Sequence, residues 1–166
     1  MKKTLLLLTF TVAVFFANAQ CNPDPQFTVA GVYPDSASGL SPAYVGQLYN
    51  QNITIITPSD TSVELGGLDI IVTVDNIDLT NVAGLPNSFS YTCDPPSCSF
   101  SGGTIACAEL YSSGPTSSEI GLHQIIFETT AFVSDVPLIG TTTQDDVIDY
   151  YYLNVSSASS TVNQFN

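Results

Sequence analysis

Four cysteines, a short acidic run and three consecutive tyrosines are the residues of this 166-residue chain whose types and spacing could do chemistry. The cysteines are Cys21, Cys93, Cys98 and Cys107. Their gaps do not make the paired CxxC knuckles of a zinc site, and the single histidine, His123, is remote from them in sequence. They therefore read as two disulfides formed in an oxidising compartment. Gly102-Gly103 stands midway between Cys98 and Cys107. A two-residue turn there would make a hairpin that sets these two cysteines opposite each other as a non-hydrogen-bonded pair, with Cα atoms ~4.5 Å apart. That expectation pairs Cys98 with Cys107 and leaves Cys21 to join Cys93. The second bridge closes a long loop, worth ~4 kcal/mol in the chain-entropy account.

The acidic run is Asp145, Asp146 and Asp149. Carboxylates this close supply the hard oxygen ligands that Ca²⁺ takes, and no other cofactor is called for. In an extended strand, however, Asp145 and Asp146 point to opposite faces, and a solvated face is the plainer reading. Tyr150, Tyr151 and Tyr152 must also alternate faces, so at least one ring points outward. A tyrosine ring with its hydroxyl suits contact with protein or sugar. His123 shares a face with Ile125 and Phe127, as a partly buried histidine ending a core row would. A serine triad built on it lacks a nucleophile elbow. Asp60-Thr61-Ser62 echoes the loop of aspartic proteases but follows a solvated Thr57-Pro58-Ser59 turn instead of a hydrophobic strand. Carboxylate pairs for glycoside hydrolysis can be drawn from the 15 acids, yet the chain has no Trp to form the platforms such sites add. No catalytic residue is assigned.

Charge narrows the partners. The net charge is −13, and the two basic residues are Lys2 and Lys3. Both lie in residues 1–19, which read as a signal peptide: a positive start, an apolar stretch from Leu5 to Phe16, and a small-residue cleavage site at Ala17-Asn18-Ala19. Gln20 precedes Cys21 where lipid attachment wants a small residue. Removing the leader leaves 147 residues with no Lys or Arg and a charge of −15. Such a chain cannot neutralise phosphates, form a Schiff base or bind anionic lipid, which excludes nucleic acid as a partner. No later segment is long and apolar enough to insert into a membrane. The expected location is secreted or at the cell surface, with the periplasm as the other exported compartment.

Helix signals are scarce, and period-two alternation recurs. Ile53 and Ile55 alternate with Asn52 and Thr54. Ile70, Val72 and Val74 alternate with Asp69, Thr73 and Asp75. Ile125, Phe127, Thr129, Ala131 and Val133 share one face, and residues 147–155 read as a final strand. Turn clusters at Tyr33-Pro34-Asp35, Gly66-Gly67, Asp94-Pro95-Pro96 and Ser113-Gly114-Pro115 separate them. The pattern predicts an all-β fold, an antiparallel β-sandwich stapled by disulfides, in one domain over residues 20–155. A Ser-rich tail or linker over 156–166 follows.

Tyr44-Val45-Gly46-Gln47-Leu48-Tyr49, Gly84-Leu85-Pro86, Gly114-Pro115-Thr116 and Gly121 resemble, in order and spacing, the immunoglobulin-like repeat of bacterial surface proteins. The cysteine arrangement is similar to N-terminal modules of secreted type IX secretion substrates. The resemblance covers roughly residues 44–133. It implies an immunoglobulin-like or cadherin-like sandwich and a secreted, non-catalytic binding or adhesion module whose partner is protein or carbohydrate at the cell surface. It also implies that Asp35-Ser36-Ala37 is an O-glycosylation site. Asn52-Ile53-Thr54 and Asn154-Val155-Ser156 match the N-glycosylation sequon, which matters only in a eukaryotic pathway. A purely structural spacer and a carboxylate-based hydrolase are the alternative readings.

Overall fold

The alternating segments form ten strands in the computed structural model, which describes residues 21–157. The expected signal peptide and residues 158–166 of the expected tail lie outside the described residues. The strands are β1 (Gly31–Tyr33), β2 (Ala43–Tyr44), β3 (Tyr49–Ile56), β4 (Asp60–Leu65), β5 (Leu68–Ala83), β6 (Phe89–Asp94), β7 (Ser99–Ser101), β8 (Ile105–Ser112), β9 (Gly121–Val136) and β10 (Gly140–Ser156). The described residues contain no α-helix, only a single 3-10 turn at Ser117–Glu119.

Two sheets face each other in a sandwich-like arrangement. The first has the order β1-β3-β8-β6; the second runs β2-β10-β9-β5-β4, with β7 paired to β5 beyond the end of β4. Neighbours are antiparallel, with one correction to expectation. β2 lies parallel to β10, setting Ala43 beside Val155 and Tyr44 beside Ser156, so the second sheet is mixed. Period-two patterning reports which face a residue takes but not the direction of its neighbour, so the parallel contact left no trace in it. The last strand is also longer than expected, starting at Gly140.

Inward residues of both sheets build the main core: Ile53, Phe89, Ala108, Leu110, Ile125, Phe127, Tyr151 and Leu153 are buried there. A smaller cluster of Val72, Val74, Val133 and Val136 extends the second sheet beyond it, with Ile70 packed alongside. The alternation expected at residues 70–74 and 125–133 is thus the alternation observed. Thr54 departs from it. Its side chain belongs to the outward set, yet it is buried, because residues 21–24 lie over it and the Asp24 amide donates to its hydroxyl at 2.8 Å.

The cysteine pairing is corrected. Cys21 bonds Cys107 and Cys93 bonds Cys98. The expected Gly102-Gly103 hairpin does not form: β7 leaves the turn to pair with β5 in the second sheet, and β8 pairs with β3 and β6 in the first. The diglycine is a crossing between sheets. Gly102 is needed there because a Cβ would sit 1.8 Å from the Val74 carbonyl oxygen, while its amide donates to the Asp75 carbonyl at 2.9 Å. With β7 and β8 in different sheets, Cys98 cannot face Cys107. It instead folds back on Cys93 through the Asp94-Pro95-Pro96-Ser97 loop, closed by a Cys98 N–H bond to the Pro95 carbonyl.

Candidate binding surfaces

The three candidate carboxylates all lie on or beside the β10 edge but are not gathered. Asp145 stands opposite Thr130 and accepts its hydroxyl at 2.7 Å. Asp146 faces the other way and takes its hydrogen bond from the next residue, the Val147 amide, at 2.8 Å. Asp149 sits in a bulge between Ile148 and Tyr151, where the Gln124 amide reaches its carbonyl. Among the described residues no three His, Cys, Asp or Glu side chains come close enough to hold a metal ion. Like charges along an exposed strand edge discourage pairing with another strand.

The bulge also decides the tyrosines. Tyr151 points inward and is wholly buried, donating its hydroxyl to the Pro34 carbonyl; burial pushes its pKa well above the usual phenol value. Tyr150 and Tyr152 are exposed. Tyr150 leans on Tyr151 with ring centroids 4.5 Å apart, and Tyr152 lies opposite Gln124 on the outer face. His123 is half-buried, its Nε2 2.7 Å from the Glu119 carbonyl oxygen. Asp60 is exposed and takes only its neighbour Ser59 as a side-chain donor. Asp35, in the expected glycosylation triplet, is exposed, and hydrogen bonds from Ser38 hold its carboxyl below the usual range.

The sequence reading missed the outer face of the first sheet. There β3, β8 and β6 bring Asn50, Tyr111 and Ser90 into one row, and Asn52, Glu109 and Thr92 into the next. All of these but Asn52 line an open basin of about 750 Å³, within the size range of small-ligand sites. Tyr111, 41% exposed, lies mid-row between the flanking strands. The Asn50 amide nitrogen donates to Glu109 Oε1, fixing both polar groups beside the ring. At the rim the 3-10 turn is pinned by Glu119, whose carboxylate accepts the Ser88 amide and hydroxyl at 2.8 Å and the Thr116 amide at 2.7 Å. These bonds, with that from the Thr116 hydroxyl, hold its pKa at about 2. The signal was available: Cys107, Glu109 and Tyr111 alternate with the apolar Ala106, Ala108 and Leu110.

No protein-family model matches this chain, and no curated protein matches it. A solved structure of a family 123 glycoside hydrolase from Clostridium perfringens aligns at 16% identity and a TM-score of 0.29. The match covers 70% of this chain and 22% of that one, so this chain spans about a fifth of the enzyme's length. A likeness of that size carries no argument about fold type or activity.

Proposed function

We propose that the chain is an exported, non-catalytic binding module of immunoglobulin-like type that holds carbohydrate in the basin on its first sheet. The observation that carries this reading is Tyr111, an exposed ring set among Asn50, Glu109, Ser90 and Thr92. A pyranose needs an apolar face to lie on and planar or hydroxyl groups at its edges, and this row supplies both. The ring orders little on binding, because Tyr has few rotatable bonds. The acids favour neutral over acidic glycans, since positions 4–166 contain no Lys or Arg to receive a uronate or sialate. Two disulfides support the exported compartment. The immunoglobulin-like reading is supported by the meeting of two of its corner motifs, where the Gly46 amide donates to the Pro115 carbonyl at 2.9 Å.

The test is a joint glycan and protein array. Retention of neutral oligosaccharides, lost at least tenfold by Tyr111→Ala and kept by Tyr152→Ala, is the expected result. Retention of proteins alone, or glycan binding indifferent to Tyr111, contradicts it.

A further inference from the structure

A second opening lies on the opposite side of the first sheet from the basin. The first sheet ends in the three-residue β1, and the β10 stretch 144–149 has β9 as its only strand partner among the described residues. Between these two edges a cavity of about 230 Å³ enters the sandwich. Val32, Ile55, Leu79, Phe100, Phe127 and Ile148 contribute its apolar wall. Three polar residues break that wall, and one of them, Thr129, already donates its hydroxyl to the Asp146 carbonyl at 3.3 Å. Thr57 is 2% exposed, and its buried hydroxyl has no hydrogen-bond partner in the structure. Asp146, exposed on β10, lines the cavity too and puts a negative charge on its solvent side.

We infer that this cavity is a binding site for a small uncharged amphiphile, with a ring-sized or roughly eight-carbon apolar body and one hydroxyl or carbonyl. Size sets the body, because a dry cavity of ~150 Å³ already takes up benzene and this one is about half as large again. Wall chemistry excludes a water cluster, since an apolar lining gives water too few partners. The orphan Thr57 hydroxyl selects a hydrogen-bonding group, because an unmet buried donor is costly and a ligand that meets it gains. Charge selects against a carboxylate, which would be buried near Asp146 with no cation to receive it. The site is independent of the carbohydrate reading, for no residue named in it borders the basin.

The experiment is a titration of the intact disulfide-bonded protein with 1-octanol and with octanoate, followed by methyl NMR of the Ile, Leu and Val groups. Octanol is expected to bind saturably, shifting the methyls of Ile55, Leu79 and Ile148, and octanoate at least tenfold more weakly. Thr57→Val, nearly isosteric, should keep the fold and weaken octanol about five- to tenfold. Ile148→Trp should abolish binding by filling the half-exposed mouth. Octanoate binding as well as octanol, shifts scattered over the surface without saturation, or Thr57→Val leaving affinity unchanged would each overturn the assignment.

Discussion

Thr54 stands directly opposite Cys107 across β3 and β8, and both side chains lie on the face of the first sheet turned away from the core. They are nevertheless 1% and 0% exposed. The Cys21–Cys107 bridge lays residues 21–24 over them, and the Asp24 amide satisfies the Thr54 hydroxyl. A covalent tie and a hydrogen bond thus turn part of an outer sheet face into interior.

The two disulfides should differ in what they contribute. The Cys21–Cys107 bridge spans 86 residues and the Cys93–Cys98 bridge spans 5. In the chain-entropy account these are worth about 4–5 and about 2 kcal/mol. Replacing Cys21 and Cys107 by Ser should therefore cost about twice as much in urea unfolding as replacing Cys93 and Cys98. Amide exchange at Thr54 should also rise in the first variant only. Peptide mapping of unreduced protein should recover Cys21 linked to Cys107.

Gly102→Ala tests the crossing between sheets. Its new methyl would meet the Val74 carbonyl oxygen, and forcing backbone apart in a packed region costs about 1–3 kcal/mol. Thermal melting should fall by several degrees, whereas Gly103→Asn, whose Cβ would make only ordinary van der Waals contact with Ser59 and whose positive φ Asn tolerates, should change it little. An unchanged melting temperature in Gly102→Ala would mean the diglycine forms a free hairpin.

Glu119 gives the fold a pH signature. Its folded pKa of about 2 lies below the ordinary 4.5. The stability it contributes is present above about pH 4.5 and is lost as pH falls toward 2. Glu119→Gln should lower the melting temperature at pH 6 by about 3 °C, the scale of ~1 kcal/mol in a domain of this size. The gap between the two proteins should close by pH 2. A gap that is constant with pH would show that the carboxylate charge is not what the Ser88 and Thr116 donors stabilise.

Self-repulsion predicts a response to salt. Beyond position 3 the chain has 15 acids and no Lys or Arg, so screening weakens repulsion and breaks no Lys or Arg ion pair there. Melting temperature should rise from low to moderate NaCl. A fall would contradict this picture of the surface.

Much of the fold could be read from alternation. Ile53, Val72, Val74, Ile125, Phe127 and Val133 point inward as their spacing requires. What alternation cannot carry is which strands are neighbours. Ser99–Ser101 is too short to declare a partner, and its pairing with β5 instead of β8 undid the expected cysteine bridges. Parity held part of the answer. Ala106, Ala108 and Leu110 face the core, so Cys107 faces away from it, whereas Cys93 lies inward opposite Ala108. The tyrosines alternate as expected, Tyr151 inward and Tyr150 and Tyr152 outward, but the bulge at Asp149-Tyr150 shifts their phase relative to Ile148, a backbone irregularity with no composition of its own. The basin is not legible in the sequence because its residues come from three strands distant along the chain, and none is unusual alone.

The most direct test of the carbohydrate reading is amide chemical-shift mapping with a neutral oligosaccharide retained on the array. The account predicts saturable shifts concentrated at Asn50, Ser90, Thr92, Glu109 and Tyr111, abolished by Tyr111→Ala. Shifts centred on Tyr150 and Tyr152 of β10, with the first sheet silent, would contradict it.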